Sequence, residues 1–200
     1  MADASNPTHN DDLQKAAAFH GHVCPGLVFG LRAARAALDE LGPRALDEEL
    51  VAIVENDSCA VDAIQALAGC TFGKGNLIFR DHGKQVYTFF NRTTGKSVRI
   101  AIEFRKSEST EDSAIWERYK KGDRSPEVIE AVARIKAEKV RAILESPDDL
   151  ILRKSEALET LPNAARIYPS ARCSACGEAV MEPRARMRDG LPVCIPCASR

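Results

Sequence analysis

A chain of 200 residues and 21.8 kDa is long enough for one domain with an appendage, or two small domains, and it can bury a sizeable core. Its 28 basic and 29 acidic residues leave a net charge of −1, which excludes a nucleic-acid binder acting through bulk positive charge. No run approaches the ~18 uncharged apolar residues of a spanning helix, so no membrane partner is expected.

The polar, acidic stretch from Met1 to Asp12 has no basic region followed by an apolar one, so a cytoplasmic protein without a secretory signal is expected. In that compartment seven cysteines point to metal binding or thiol chemistry rather than a disulfide framework. Residues 1–12 read as a flexible tail. The periodic pattern then runs over residues 13–162, and a cysteine-rich module occupies 163–200.

Cys24-Pro25 reads as an N-cap followed by proline at the first helical position. Leu27, Leu31, Ala34, Leu38 and Leu41 then recur at helical spacing until Gly42-Pro43. Leu50 to Glu55 has the length and composition of a strand, and Asn56-Asp57-Ser58 offers caps for a helix from about Cys59 to Gly69. Three runs rich in β-branched and aromatic residues follow, at Asn76–Arg80, Gln85–Phe90 and Ser97–Phe104. Turn residues between them predict an antiparallel meander, with His82 exposed in its first turn. Helices are predicted over about Ser113–Lys121 and from the Ser125 cap to about Glu145, with a short strand near Leu150–Leu152. Mixed helices and antiparallel strands make this an α+β fold.

Chemistry concentrates in two places. Cys173-x2-Cys176 and Cys194-x2-Cys197 enclose Asp189-Gly190, a hairpin signal. Soft thiolates presented in pairs by tight turns suit a tetrahedral, closed structural zinc, and so small a module needs such a staple. The predicted layout is a four-cysteine zinc ribbon. It carries six arginines against three acidic residues. Arg184, Arg186 and Arg188 alternate, so they share a face if the segment is extended. That face reads as a solvated hairpin, with RNA, DNA or an acidic partner as the alternative.

The second concentration is Phe19-His20-Gly21-His22-Val23-Cys24-Pro25-Gly26. In an extended segment His20, His22 and Cys24, at alternate positions, converge on one metal, for which zinc is suited. Cys24 at a helix N-terminus is also placed for a reactive thiolate. Cys59 stands in a parallel setting, as fourth ligand or as redox partner of Cys24, which makes the two cysteines the candidate catalytic pair. Cys70 reads as core, and Gly69 to Asn76 lacks the spacing of a phosphate loop.

Phe19–Gly26, Gly30-Leu-Arg-Ala-Ala34, Asp62-Ala-Ile-Gln65, Gly69–Asn76 and the C-terminal Cys-x2-Cys-Gly-Glu178 together resemble the FmdE family, which takes its name from a component of molybdenum formylmethanofuran dehydrogenase. The resemblance covers about residues 13–198. It implies a thioredoxin-like mixed sheet flanked by helices, a C-terminal zinc finger, and assembly as a homodimer. It also implies an active or metal site at His20, His22, Cys24 and Cys59, and a role beside oxidoreductase subunits, since some members are encoded next to the dehydrogenase.

Overall fold

The computed structural model of the protein describes residues 7–44, 46–104 and 109–200. The chain forms two compact units, one closing at Ala164 and the other comprising Ala165–Arg200. Among the described residues no helix is long and apolar enough to cross a membrane.

The first unit opens with a helix that the sequence pattern does not predict, α1 (Pro7–His20). Of the expected tail, residues 1–6 lie outside the described residues and 7–12 belong to this helix. Its apolar face is narrow, built on fully buried Ala16 with Leu13 and Ala17 packed beside it. Helix α2 (Pro25–Leu41) starts at Cys24, whose sulfur accepts a hydrogen bond from the Leu27 amide, and ends at Gly42. Strand β1 (Leu50–Val54) leads to α3 (Ala60–Ala68), with Cys59 as its N-cap. Strands β2 (Leu77–Phe79), β3 (Val86–Asn91) and β4 (Ser97–Ile102) follow, then α4 (Thr110–Lys120) and α5 (Pro126–Glu145), and β5 (Leu152–Ser155) closes the sheet.

The five strands are ordered β2-β1-β3-β4-β5. Here the structure corrects the predicted meander. β2 pairs parallel with β1, in the register Ala52↔Leu77, whereas β3 pairs antiparallel on the other side of β1, with Ile53 opposite Thr88. The reason is the intervening helix: α3 carries the chain back along the sheet, and a helical crossover delivers a parallel strand. The segment from Asp81 to Lys84 is therefore a connection across the end of β1, anchored where the Lys84 amide donates to the Glu55 carbonyl. His82 is not in a hairpin turn. It is half-exposed and its Nδ1 lies 3.2 Å from the carboxylate of buried Glu55.

Alternation along β1 divides the interior. Leu50, Ala52 and Val54 face the helices, together with Tyr87, Phe89, Val98, Ile100, Leu27, Leu31, Ile64 and Ile143. Val51, Ile53 and Phe90 face the other way and pack with Ile78 and with Ala157, from the segment after β5. Buried Arg32 ties α2 to the end of α5: its guanidinium donates to the carbonyls of Ile143, Leu144 and Ser146 and to Asp148. Cys70 is fully buried, as the sequence predicts, and burial pushes its thiol up to about 12, which keeps it chemically inert.

Asn76 is a buried polar knot that the sequence did not reveal. Its Nδ2 donates to the carbonyl of Leu50 at 2.8 Å and reaches those of Asp47 and Gly69, while its Oδ1 accepts from the Thr71 amide at 2.9 Å. Replacing it with alanine strands these backbone groups in the interior. Asn76→Ala is expected to cost roughly 2–4 kcal/mol, measured as a lowered urea midpoint; a change under about 0.5 kcal/mol would contradict the role assigned to it.

Candidate metal centres

The second unit is two short hairpins and a helical turn. Strands β6 (Ser170–Arg172) and β7 (Ala179–Met181) flank the first cysteine pair. β8 (Arg186–Arg188) and β9 (Leu191–Val193) precede the second pair, which opens α6 (Ile195–Ala198). The hairpin turn is Asp189-Gly190, with φ of 53° and 77°, the left-handed pair that a two-residue turn of this kind requires. The four sulfurs of Cys173, Cys176, Cys194 and Cys197 lie within 4.8 Å of one another, and those of Cys176 and Cys194 are 3.9 Å apart. Tetrahedral zinc with Zn–S bonds of ~2.3 Å sets sulfur–sulfur edges of about 3.8 Å. The donor set and its spacing fit.

The electrostatics also call for a cation. Amides of Cys194 and Cys176 bring the Cys173 thiol down to about 6. The Glu178 amide favours the Cys176 thiolate too, but the neighbouring thiols and desolvation prevail and push that group up to about 12. Four thiols so close cannot all ionise unless a metal balances their charge.

The expected arginine face does not form as a single row. Arg184 lies on a short 3-10 turn, Glu182–Arg184, so it does not continue the alternation of the strand. Arg188 donates to the carbonyl of Cys197 and helps close the second knuckle.

In the first unit the structure brings His20, His22 and Cys24 together, with their donor atoms within 4.8 Å of one another. It does so by a route different from the extended segment predicted. His20 ends α1, Gly21 turns the chain at φ 96°, and Cys24 starts α2. Glycine is needed at that turn because a side chain rarely tolerates positive φ. The rings of His20 and His22 are 4.7 Å apart, and His20 Nε2 lies 3.9 Å from the Cys24 sulfur. Donors around a tetrahedral zinc are separated by about 3.5 Å, so the cluster closes on a metal with small side-chain movements.

Cys59 stands beside Cys24 but outside the three residues whose donor atoms converge, brought there because α2 and α3 run very close together. A Cβ placed on Gly26 would lie 3.1 Å from the Cys59 Cβ, 3.8 Å from its sulfur and 3.9 Å from the Cys24 sulfur. Desolvation, and then the adjoining Cys24 thiol, push the Cys59 thiol up. Two cysteines thus stand side by side at the N-termini of neighbouring helices.

Sequence reasoning missed the groups that hold His20. Its Nδ1 lies 2.7 Å from a carboxylate oxygen of Asp62. Gln65 donates to the other oxygen of Asp62 and accepts from the Phe72 amide. A carboxylate on the far nitrogen of a metal-ligating histidine fixes its tautomer and leaves Nε2 free for the metal. The available signal was spacing, since Asp62 follows Cys59 by three residues and so shares its helix face.

The family model described as FmdE, molybdenum formylmethanofuran dehydrogenase operon, matches residues 19–153. The chain belongs to the FmdE family. Its C-terminal unit matches the prokaryotic dksA/traR C4-type zinc finger over residues 166–200, which assigns the four-cysteine centre as structural zinc. The protein is therefore an FmdE-like metal-binding protein with a C4 zinc finger. A probable S-adenosyl-L-methionine-binding protein of Archaeoglobus fulgidus is 33% identical over 196 residues, covering 93% of this chain and 52% of its own length. The chain thus spans about half the length of that curated relative. A tungsten formylmethanofuran dehydrogenase FmdE-like protein of Syntrophus aciditrophicus shares the fold, with a TM-score of 0.61 at 24% identity over 95% of this chain and 91% of its own. The FmdE match takes in His20, His22, Cys24, Cys59 and Asp62, and stops short of the zinc finger.

Proposed function

We propose that the FmdE unit carries a second transition metal, zinc by its donor set, held by His20, His22 and Cys24 with Cys59 as fourth ligand. The observation that carries this reading is convergence: three ligands meet at a helix-to-helix turn, and Asp62 orients one of them. When bound, such a metal supplies Lewis acidity. The protein's own groups position it: Asp62 fixes His20, and the Leu27 amide donates to the Cys24 sulfur. Cys24 and Cys59 are the groups placed for reaction if the metal site opens. The protein acts as a cytoplasmic homodimer accessory to a molybdenum-type oxidoreductase, and the operon for which the family is named supports the oxidoreductase setting alone. S-adenosylmethionine is the ligand suggested by the Archaeoglobus relative. A nucleic-acid role for the zinc finger has less support, because Arg188 is engaged internally and Arg184 leaves the row.

Cobalt(II) exchanged into the full chain tests the core site optically. Thiolate-to-cobalt absorption is expected from both centres, and Cys24→Ser should remove only the part that mixed nitrogen and sulfur ligation produces. An unchanged spectrum in Cys24→Ser would refute the second site.

A further inference from the structure

A cleft of about 390 Å³ opens beside the core cluster, at the C-terminal ends of the parallel pair β1 and β2 and at the start of α3. This volume is in the range of small-molecule sites, and the ends of parallel strands are where α/β sheets place their ligands. Its apolar wall includes Val54, Leu77, Phe72 and Phe79. Phe72 is 80% exposed and Phe79 48%, so two aromatic rings stand in water at one mouth. Large exposed aromatics grouped at a concavity mark a binding surface rather than core.

The polar side of the cleft selects charge. Asp57 is exposed and Asp62 half-buried, and no lining residue is lysine or arginine. The amides of Ser58, Val61 and Asp62 already donate within the chain. A phosphate there would face the carboxylates of Asp57 and Asp62 with no lysine or arginine beside them. His20 and Cys59 line the same cleft, so its floor is the candidate metal site itself. The Phe72 amide is also linked through Gln65 and Asp62 to His20.

From this we infer that the cleft between Phe72, Phe79 and Asp57 binds a flat heteroaromatic small molecule, uncharged or cationic, packed beside the metal site of His20, His22, Cys24 and Cys59. The inference rests on the metal reading above and adds the place where a ring is held and the charge that the cleft accepts. The aromatic pair takes the ring, Asp57 takes a cationic or hydroxyl group, and the carboxylates of Asp57 and Asp62 repel phosphorylated molecules.

The test is ligand-observed NMR on the zinc-loaded full chain, with quinoline, adenosine and AMP as probes and metal content measured on each sample. Quinoline or adenosine should bind, AMP should bind at least tenfold more weakly than adenosine, and Phe72→Ala should weaken the bound ring about tenfold with the metal retained. Phe72 is exposed, so its truncation leaves the fold intact. The ligand class is overturned if neither quinoline nor adenosine binds at millimolar concentration, if AMP binds as well as adenosine, or if Phe72→Ala has no effect. Failure of the metal reading is separate: wild type and Cys24→Ser would then hold the same amount of metal, whatever the rings do.

Discussion

Gly30→Ala is expected to cost roughly 3 kcal/mol or more and to dismantle the core site at the same time. A Cβ at Gly30 would overlap the carbonyl oxygen of Ala60 and stand 2.6 Å from the Ala60 Cα and carbonyl carbon. Carbon atoms in contact rest at about 3.5–4.0 Å, so the helices must part by about 1 Å or more. Ala60 is fully buried backbone on a helix, not the tip of a flexible side chain, so there is no inexpensive way to yield. The separation would act directly on function, because α2 begins at Cys24 and α3 begins at Cys59. The variant should show a lowered urea midpoint and reduced metal in the first unit. Gly73→Ala is the control: nothing lies within 4 Å of its Cβ, and the substitution should be near neutral. Equal stability of the two variants would remove close helix contact as the organising feature of the site.

Removing zinc from the second unit is expected to unfold that unit outright. Its hydrophobic cluster is Cys173, Val193 and Cys197, with Cys194 packed against them, so three of the four members are metal ligands. Without the metal there is almost nothing left to bury, and the thiols gathered around Cys176 lose the charge that holds them together. Structural zinc in modules of this type is worth about 10–16 kcal/mol in apparent binding free energy, far more than the unit's own packing can supply. Chelation, or Cys173→Ser, should therefore make residues after Ala165 cleavable by protease while the first unit stays resistant. Persistent protease resistance of the metal-free C-terminal unit would show that it has another source of stability.

The zinc finger was the most legible part of the chain, because paired cysteines and Asp-Gly state a local geometry that needs no tertiary context. Helices α2 and α5 were legible for a similar reason, each with proline at its first position and a continuous apolar stripe. What local pattern could not supply was long-range placement. The strand run Asn76–Arg80 has the same composition whether it pairs with β3 or beside β1, and only the return path through α3 decides. Helix α1 was hidden because its buried face is mainly alanine, which carries high helix propensity but little hydrophobic contrast. Its presence also changes the geometry of the His-x-His-x-Cys segment, which works through a helix end, a glycine turn and a helix start. Asp62 and Gln65 stood in the sequence as the ends of one of the stretches that resemble the family, with no role of their own assigned. Their link to His20 exists only once α1 packs against α3.

The most direct measurement is metal content per chain by elemental analysis, on wild type and Cys24→Ser purified without chelator or added metal. Two metals per chain, falling to one in the variant, is the predicted result. One metal per chain in both would leave the zinc finger as the sole metal centre and contradict the assignment of His20, His22, Cys24 and Cys59.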